Sequence, residues 1–178
     1  MAVPKHIQDL VKQEENEELF LGKVAGTVYP DADGYSGGYG HYMSEEDLKR
    51  YPPNSPVPQW QVDAWFEEDI QKSYNAARNQ NSQLSKPVDV GRLTSVNYQL
   101  GESWNDISKN KNAFKDTWDL MQSGDFAGAS QEVLDSDWAQ KQTPGRAQKF
   151  SDALAGMGST PAPVDTAPVD TAPVDTAP

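Results

Sequence analysis

The sequence predicts an α+β fold, in which a small antiparallel β-hairpin sheet near the N-terminus is followed by a mainly helical C-terminal lobe. Between residues 23 and 43, tyrosines and valines are set among glycines, a pattern typical of short strands joined by tight turns. From Gln59 onward, apolar side chains recur at spacings of three and four residues, which indicates helices. Prolines and glycines interrupt the chain where these elements are expected to begin or end.

Local signals along the chain predict the individual helices. Residues 6–21 predict an acidic helix, and Ser44 with an acidic residue three positions later predicts a capped short helix. A longer helix is expected from Gln59 to near Arg78. Further helices are expected at about 89–100, 105–123, 126–134 and 144–156.

Glycine, threonine and proline mark the ends of several of these helices. Gly101 and Gly124 stand where C-terminal glycines are expected. Thr143 and Pro144 suit the N-cap and first turn of the last helix.

The C-terminus has a different character. From Pro163 the sequence repeats Pro-Val-Asp-Thr-Ala three times and ends at Pro178. Regular prolines favour extended, solvated backbone, and the segment has no large apolar residue to offset the entropy of ordering. The expected organisation is therefore one domain at 1–158 and a disordered repeat tail at 159–178.

The composition limits the possible function classes. The 178 residues carry 15 Lys and Arg against 27 Asp and Glu, a formal net charge of −12. Nucleic acids and anionic lipid surfaces bind proteins that neutralise their charge, so neither is an expected partner. The absence of cysteine excludes disulfides, thiolate metal sites and cysteine nucleophiles, and two histidines are too few for a histidine-rich metal centre. We expect no metal and no cofactor.

The N-terminal residues contain no apolar run of signal-peptide length, and no stretch approaches a membrane span of roughly 20 apolar residues. The expectation is a protein that is soluble where it is made.

The glycine-rich hairpin concentrates chemically useful side chains. Asp31, Asp33, Ser36 and His41 fall within 11 residues. A calcium loop is disfavoured because the twelfth position, which should carry a bidentate Glu, is Tyr42. A phosphate loop is disfavoured because no Lys-Ser/Thr pair follows the glycines. A plain tight hairpin with Asp at turn positions remains an alternative.

The hairpin reads Tyr29-x-Asp31-x-x-Gly34-x-Ser36-x-Gly38-Tyr39-Gly40-His41. It resembles the signature hairpin of the phage lysozymes, glycoside hydrolase family 24, which commonly reads Tyr-x-Asp, a glycine turn and then Thr-Ile-Gly-x-Gly-His.

Later segments resemble the same family in the same order. The segment Ser95-Val-Asn97-Tyr-Gln99-Leu-Gly101-Glu102 is similar to its Asn-x-x-Phe-Gln/Asn-x-Gly-x element. The most specific match is Trp138-Ala-Gln-Lys-Gln142-Thr143-Pro144-Gly-Arg146-Ala147, which resembles Trp-x-x-Gln-Thr-Pro-x-Arg-Ala. The resemblance covers about 24–155 and implies a two-lobe, lysozyme-like fold.

The resemblance implies a muramidase that hydrolyses the β-1,4 bond between N-acetylmuramic acid and N-acetylglucosamine. In this family a Glu at the end of the first helix protonates the leaving oxygen, a hairpin Asp holds the attacking water and a Thr helps to position it. Asp31 falls on the Asp position, and Ser36 falls on the Thr position with its hydroxyl retained.

The resemblance does not assign the general acid to a residue directly. A Glu-Gly pair normally precedes the Asp by nine or ten residues, but this chain has Leu21 and Gly22 there. Glu18 lies one helical turn before Gly22 on the same face, so it is the predicted general acid. The other glutamates of 14–18 are alternatives, and so is the complete loss of the acid.

Other side chains receive supporting roles. Tyr35 and Gln99 are the candidates for substrate binding. His41 is interpreted as a hydrogen-bonded support residue, and Arg146 as a structural ion-pair or capping residue. Aromatic residues at helical spacing, such as Trp104 and Trp118, are interpreted as core.

The resemblance therefore implies a peptidoglycan hydrolase that acts in phage lysis or in cell-wall penetration. It would be made in the host cytoplasm without a signal peptide, and would act in the host periplasm or be carried in the virion. Its partner would be peptidoglycan glycan strands, with the protein a monomer or associated with the virion. The alternative is a degenerate lysozyme fold that serves as a virion structural or peptidoglycan-binding component, which the acidic body and the missing Glu-Gly pair favour.

Overall fold

The structure, a computed structural model, describes residues 1–31 and 34–158. The predicted tail at 159–178 lies outside the described residues, as does Asp33. The described chain forms helices α1 (Lys5–Glu15) and α2 (Glu17–Phe20), strands β1 (Val28–Asp31), β2 (Gly34–Gly37) and β3 (His41–Tyr42), and helices α3 (Glu45–Arg50), α4 (Gln59–Asn81), α5 (Val90–Leu100), α6 (Lys115–Ser123), α7 (Phe126–Asp135) and α8 (Pro144–Gly158). A short π-helical turn, Trp138–Gln142, precedes α8.

The three strands form one antiparallel sheet in the order β1-β2-β3. Its glycines allow the hairpin to lie directly against α4. A Cβ at Gly37 would lie 2.9 Å from Cζ3 of Trp65, and one at Gly38 would lie 2.8 Å from Cγ1 of Val62. Gly38 also has a φ of +59°, which side-chain-bearing residues rarely adopt.

Two hydrophobic clusters divide the domain into two lobes, and α4 contributes to both. The N-terminal cluster joins α1, the sheet and the first part of α4 through residues such as Val11, Val28, Val62, Phe66 and Ile70. The C-terminal cluster joins the end of α4 to α5–α8 and includes Leu93, Trp104, Met121, Val133 and Phe150. The long helix α4 therefore holds the sheet at a fixed position relative to the helical lobe.

Several predicted helix ends are confirmed. Ser44 and Asp47 form a reciprocal capping box at the start of α3. Gly101 and Gly124 follow α5 and α6 with positive φ, and α8 begins at Pro144.

The predicted helix at 105–123 is wrong in its first half. The helix begins only at Lys115, because short polar side chains upstream bond to nearby backbone instead. The Asp106 carboxylate accepts from the amide of Ser108, and the Asn110 side chain accepts from the amide of Asn112. Such local bonds stabilise turns in competition with a helix.

The predicted helix at 6–21 is divided in two at Asn16. This residue has extended backbone, with φ −155° and ψ 90°, and its side-chain oxygen accepts from the amide of Leu19 to cap α2. Consequently α1 ends at Glu15 rather than at residue 21.

No helix among the described residues is long and apolar enough to cross a membrane.

Candidate active site

The end of α1 presents two consecutive glutamates to the interior of the molecule. Glu14 and Glu15 are the last two residues of α1, and Asn16 turns the chain away immediately after them. The side chain of Glu14 is 4% exposed and that of Glu15 is 17% exposed. Both carboxyl groups are therefore withdrawn from bulk water.

Glu14 is surrounded by donors from α5 and α8. Its Oε1 accepts from Nη1 of Arg92 at 2.7 Å and from Nζ of Lys149 at 3.0 Å. Its Oε2 accepts from the hydroxyl of Ser95 at 2.5 Å and from Nε of Arg146 at 3.4 Å. Burial alone would raise the pKa of this carboxyl, but the hydrogen bonds from Ser95, Arg92 and Lys149 together lower it to about 2.

Arg146 connects the two glutamates. Its Nη1 donates to Oε1 of Glu15 at 2.7 Å, while its Nη2 lies 3.2 Å from the hydroxyl and 3.4 Å from the carbonyl oxygen of Ser95. The side chain is 8% exposed. Its interpretation as a structural ion-pair residue agrees with this geometry.

Glu15 has the opposite electrostatic balance to its neighbour. Burial raises the pKa of the Glu15 carboxyl, and the opposing effect of Arg146 does not cancel it. The charge of Glu14 raises it further. Oε2 of Glu15 faces the hairpin turn, where a Cβ at Gly40 would lie 3.7 Å away. The lack of a side chain at Gly40 leaves room beside this oxygen.

The hairpin brings together the two residues that the sequence predicts as partners. The hydroxyl of Ser36 donates to Oδ2 of Asp31 at 2.7 Å. The register pairs Tyr29 with Ser36 and Asp31 with Gly34, so Asp31 and Ser36 occupy diagonal positions on neighbouring strands. Ser36 is buried and Asp31 is exposed, so a buried hydroxyl orients an accessible carboxylate.

Tyr29 links the two carboxyl sites. Burial raises the pKa of its phenol, and the charges of both Glu15 and Asp31 raise it further. Tyr29 therefore lies within electrostatic reach of the glutamate at the end of α1 and of the aspartate at the end of β1. The buried carboxyl group of Glu15 and the exposed carboxyl group of Asp31 therefore both lie near strand β1.

A cleft of about 1080 Å³ runs from the hairpin along the helical lobe, and Asp31 lines it together with Gln99 and Trp138. The side-chain amide of Gln99 is fixed at both ends. Its nitrogen donates to the hydroxyl of Thr143 at 2.7 Å, and its oxygen accepts from Nε1 of Trp138 at 3.2 Å. Gln99 is therefore a rigid part of the cleft wall.

Two other predicted site residues lie in less suitable places. Glu18, the predicted acid, lies on α2 with its side chain exposed, because the break at Asn16 separates α2 from α1. Tyr35, a predicted substrate ligand, is half-buried and packs against the N-terminal cluster.

His41 connects the hairpin to α4 through Asp69 and Trp65. Its Nδ1 lies 2.7 Å from Oδ2 of Asp69, and its ring stacks on Trp65 with centroids 4.7 Å apart. Its Nε2 lies 3.8 Å from a carboxylate oxygen of Asp47. These contacts fit the support role expected from the sequence.

Within residues 1–31 and 34–158, no group of three or more His, Asp or Glu side chains is arranged to hold a metal ion.

The prediction of Glu18 depends on one continuous helix over 6–21. Asn16 followed by Glu17 and Glu18 is a sequence signal against that helix, since Asn is a preferred N-cap and acidic residues favour the first turn. That pattern ends the first helix at Glu15. The pairing of Glu14 with residues 78 to 135 positions away had no local signal.

No protein-family model matches the chain. Over 141 residues the chain is 26% identical to the peptidoglycan hydrolase gp36 of Pseudomonas phage phiKMV. The matched region is 78% of this chain but 15% of that protein, so the chain spans a small part of the length of this curated relative. The chain is thus a distant relative of a phage protein named as a peptidoglycan hydrolase.

Proposed function

We propose that this domain is a muramidase with a lysozyme-like fold, and that it hydrolyses the β-1,4 bond between N-acetylmuramic acid and N-acetylglucosamine in peptidoglycan. The observation that carries the proposal is that a buried Glu15, whose pKa burial raises, and an exposed Asp31, whose carboxylate accepts from Ser36, both act electrostatically on Tyr29 of β1. Glycoside hydrolysis needs two such carboxyl groups, one protonated and one ionised. The distant phage peptidoglycan hydrolase supports the substrate class.

In this proposal Glu15 replaces Glu18 as the general acid. Arg146 donates to Oε1 of Glu15, which favours Oε1 as the carbonyl oxygen and leaves the proton on Oε2. Oε2 faces the open side of Gly40, so the acidic proton is directed toward the hairpin. Transfer of this proton to the glycosidic oxygen lets the leaving sugar depart as a neutral alcohol.

Asp31 acts on the opposite side of the bond. Its carboxylate accepts a proton from the attacking water and stabilises positive charge that develops on the sugar ring. The hydrogen bond from Ser36 fixes the orientation of Oδ2. Attack by water from the face opposite the leaving group inverts the anomeric carbon.

The test uses the full chain, purified Gram-negative murein sacculi and borohydride reduction of the products. We expect soluble fragments whose new reducing ends are N-acetylmuramic acid. Glu15→Gln is expected to slow release by about 10²–10⁴-fold, the usual contribution of a general acid, and Asp31→Asn is also expected to be inactive. Glu18→Gln is the matched control and should retain the parental rate.

The other outcomes are equally distinct. If the new reducing ends are N-acetylglucosamine, or if new amino groups appear, the domain is a peptidoglycan hydrolase other than a muramidase. Sacculi that are bound but not cleaved would favour the alternative of a peptidoglycan-binding or structural virion component. If Glu18→Gln loses activity while Glu15→Gln remains active, the general acid is Glu18 on α2.

We expect the domain to meet this substrate in the host cell wall, either after synthesis in the host or as part of a virion. The net charge of −12 gives no long-range attraction to an anionic wall, so delivery as part of a larger assembly would substitute for electrostatic steering.

A further inference from the structure

One face of the hairpin sheet carries a row of three side chains beside Asp31. The register pairs Tyr29 with Ser36 and Ser36 with Tyr42, so these side chains are neighbours on the same face of the sheet. Asp31 is two residues after Tyr29 on β1 and therefore points to that face as well. Ser36, in the middle of the row, is buried, whereas Asp31 is exposed. Two tyrosines thus flank the hydrogen-bonded pair of Asp31 and Ser36.

The ring of Tyr42 lies at the surface of this face. Tyr42 is 61% exposed, although burial would stabilise a large aromatic side chain. Its ring reaches over β2 to Gly34, where a Cβ would lie 3.0 Å from Oη and 3.4 Å from Cζ of Tyr42. Gly34 is the residue that pairs with Asp31. Because residue 34 has no side chain, the ring can lie close to the strand position opposite the carboxylate.

Tyr35, the tyrosine that the sequence suggests as a substrate ligand, lies on the other face. Side chains alternate along a strand, so Tyr35 points away from the face that carries Ser36 and Asp31. It packs against the N-terminal cluster instead. An aromatic contact to a substrate bound at Asp31 is therefore available from Tyr42 rather than from Tyr35.

Tyr42 and Asp31 line two openings that meet at the end of α5. Tyr42 lines a groove of about 200 Å³ together with Tyr98 and Gly101. Asp31 lines the larger cleft together with Gln99, which stands between those two residues in the chain. The groove at Tyr42 therefore continues the cleft past Asp31. A groove that is open along its length suits a polymer that must enter from the side.

We propose that Tyr42 is a sugar-binding residue, and that its ring stacks on the N-acetylglucosamine next to the N-acetylmuramic acid on which Asp31 acts. Neighbouring strands lie about 4.8 Å apart, so β3 is roughly 10 Å from β1, which is within reach of the adjacent sugar. The two sugars alternate along a glycan strand, so both neighbours of a muramic acid are N-acetylglucosamine. This inference rests on the proposed function.

The chemistry of the two surfaces is complementary. The ring substituents of N-acetylglucosamine are equatorial, so each face of the sugar presents C–H groups. The face of an aromatic ring is electron-rich and attracts such hydrogens, and stacking removes apolar surface of both groups from water. The contact needs no positive charge on the protein, in keeping with the net charge of −12. It lies away from the bond that is cleaved, so it should affect KM rather than kcat.

The experiment compares Tyr42→Leu, Tyr42→Phe and Trp60→Leu in the full chain. Trp60, 65% exposed in the first turn of α4, is the matched control for loss of an exposed aromatic ring. The substrate is soluble murein glycan strands freed of their peptides by an amidase, and the thermal midpoint reports on folding. Tyr42→Leu should raise KM about tenfold, the size of one stacking contact, with kcat little changed. Tyr42→Phe should recover most of that loss, and Trp60→Leu should keep the parental KM.

Binding is measured separately by calorimetry with the same strands. If the parent cleaves them, the titration uses Glu15→Gln with and without Tyr42→Leu, and Kd should rise by the same factor as KM. An unchanged KM and Kd in Tyr42→Leu would overturn the proposal. So would an equal rise in Trp60→Leu, a loss that Tyr42→Phe does not recover, or a rise that accompanies a lower thermal midpoint, which identifies a structural ring.

Failure of the proposed function is distinguishable from failure of the sugar contact. If the parent cleaves no murein, the muramidase proposal fails, and the titration is made on the parent and on Tyr42→Leu. Weaker binding by Tyr42→Leu would then support the sugar contact in a domain that binds glycan without cleaving it. Equal binding, or no binding by either protein, would overturn the sugar contact as well.

Discussion

Glu14 and Glu15 are neighbours on one helix, yet their surroundings give them opposite properties. Glu14 accepts hydrogen bonds from four side chains and has a pKa of about 2. Glu15 accepts from Arg146 through one oxygen, and burial raises its pKa. The difference shows that burial alone does not set the protonation of a carboxyl group; the number of donors that accompany the burial does.

The two glutamates also affect each other, because both contact Arg146. Arg146 is shared, so Glu14 takes up part of the positive charge that would otherwise act on Glu15. The negative charge of Glu14 further disfavours ionisation of Glu15. The charge of Glu14 thus shifts the equilibrium of Glu15 toward its protonated form.

The largest expected effect comes from removing the charge of Glu14. Glu14→Gln leaves Arg92 without its carboxylate and Arg146 with Glu15 alone, which is expected to lower the free energy of unfolding by about 3–5 kcal/mol. It should also lower the pKa of Glu15, because Arg146 then acts on Glu15 alone. Urea unfolding at pH 7 and NMR titration measure the two effects.

Glu18→Gln is the matched control for that change, because Glu18 is exposed on α2. It should stay within about 0.5 kcal/mol of the parent. If both variants lose the same free energy of unfolding, the hydrogen-bond donors around Glu14 do not stabilise the fold more than the surroundings of an exposed glutamate do.

The second prediction uses pH. Because the folded pKa of Glu14 is lowered from 4.5 to about 2, its contribution is full above about pH 4.5 and is lost as pH falls toward 2, by about 3 kcal/mol in total. Glu15 has a raised pKa, so its contribution is present below pH 4.5 and is lost as pH rises through its folded pKa. Urea midpoints of Glu14→Gln and Glu15→Gln should therefore diverge from the parent in opposite directions.

Specifically, Glu15→Gln should gain stability relative to the parent as pH rises from 4 to 7, while Glu14→Gln should lose it from pH 2 to 5. Parallel curves for the two variants would falsify the assignment of opposite pKa shifts.

The third prediction concerns the residue that ends α1. Asn16→Ala removes the cap on the amide of Leu19 and is expected to cost about 1 kcal/mol. It also favours continuation of α1 into α2, which would rotate Glu15 away from Arg146 and bring its pKa closer to 4.5. Denaturant unfolding and carboxyl titration test both parts.

Asn79→Ala, on the exposed surface of α4, is the control for loss of an asparagine side chain and should be near neutral. If Asn16→Ala leaves Glu15 titrating as in the parent, the helix break is not what orients the acid.

The smallest effect is expected from Lys149→Met. Lys149 donates to Glu14 at 3.0 Å, but its side chain is 55% exposed and screened by water. We expect a loss below about 1 kcal/mol that disappears in high salt. Arg92→Met, at a side chain 17% exposed with the same partner, should lose more and be less sensitive to salt. If Lys149→Met loses more stability than Arg92→Met, burial does not determine how much each cation contributes.

Local signals in the sequence predicted much of the fold. The capping box at Ser44, the glycines at Gly101 and Gly124 and the helix start at Pro144 depend on neighbours within a few residues, and all are confirmed. The missed break at Asn16 and the wrong helix before Lys115 are also local. In both places an Asn or Asp side chain bonds to nearby backbone, and these local bonds prevail over the helical spacing of the apolar residues.

The candidate site was only partly predictable for a different reason. Asp31 and Ser36 lie five residues apart on one hairpin, so pattern and register suffice to pair them. The surroundings of Glu14 and Glu15 depend on Arg92 and Arg146, which pack there only through the tertiary fold. No spacing within the sequence distinguishes Glu14, which has four donors, from Glu15, whose pKa burial raises.

Arg146 stands 131 residues after Glu15, and the hydrogen bond between them joins the first helix to the last. During synthesis α1 leaves the ribosome long before the guanidinium that orients it exists. A nascent or truncated chain that stops before α8 lacks the group that fixes Oε1. The proposed acid is therefore assembled only when the domain is nearly complete, and fragments made by early termination are expected to be harmless to the cell that makes them.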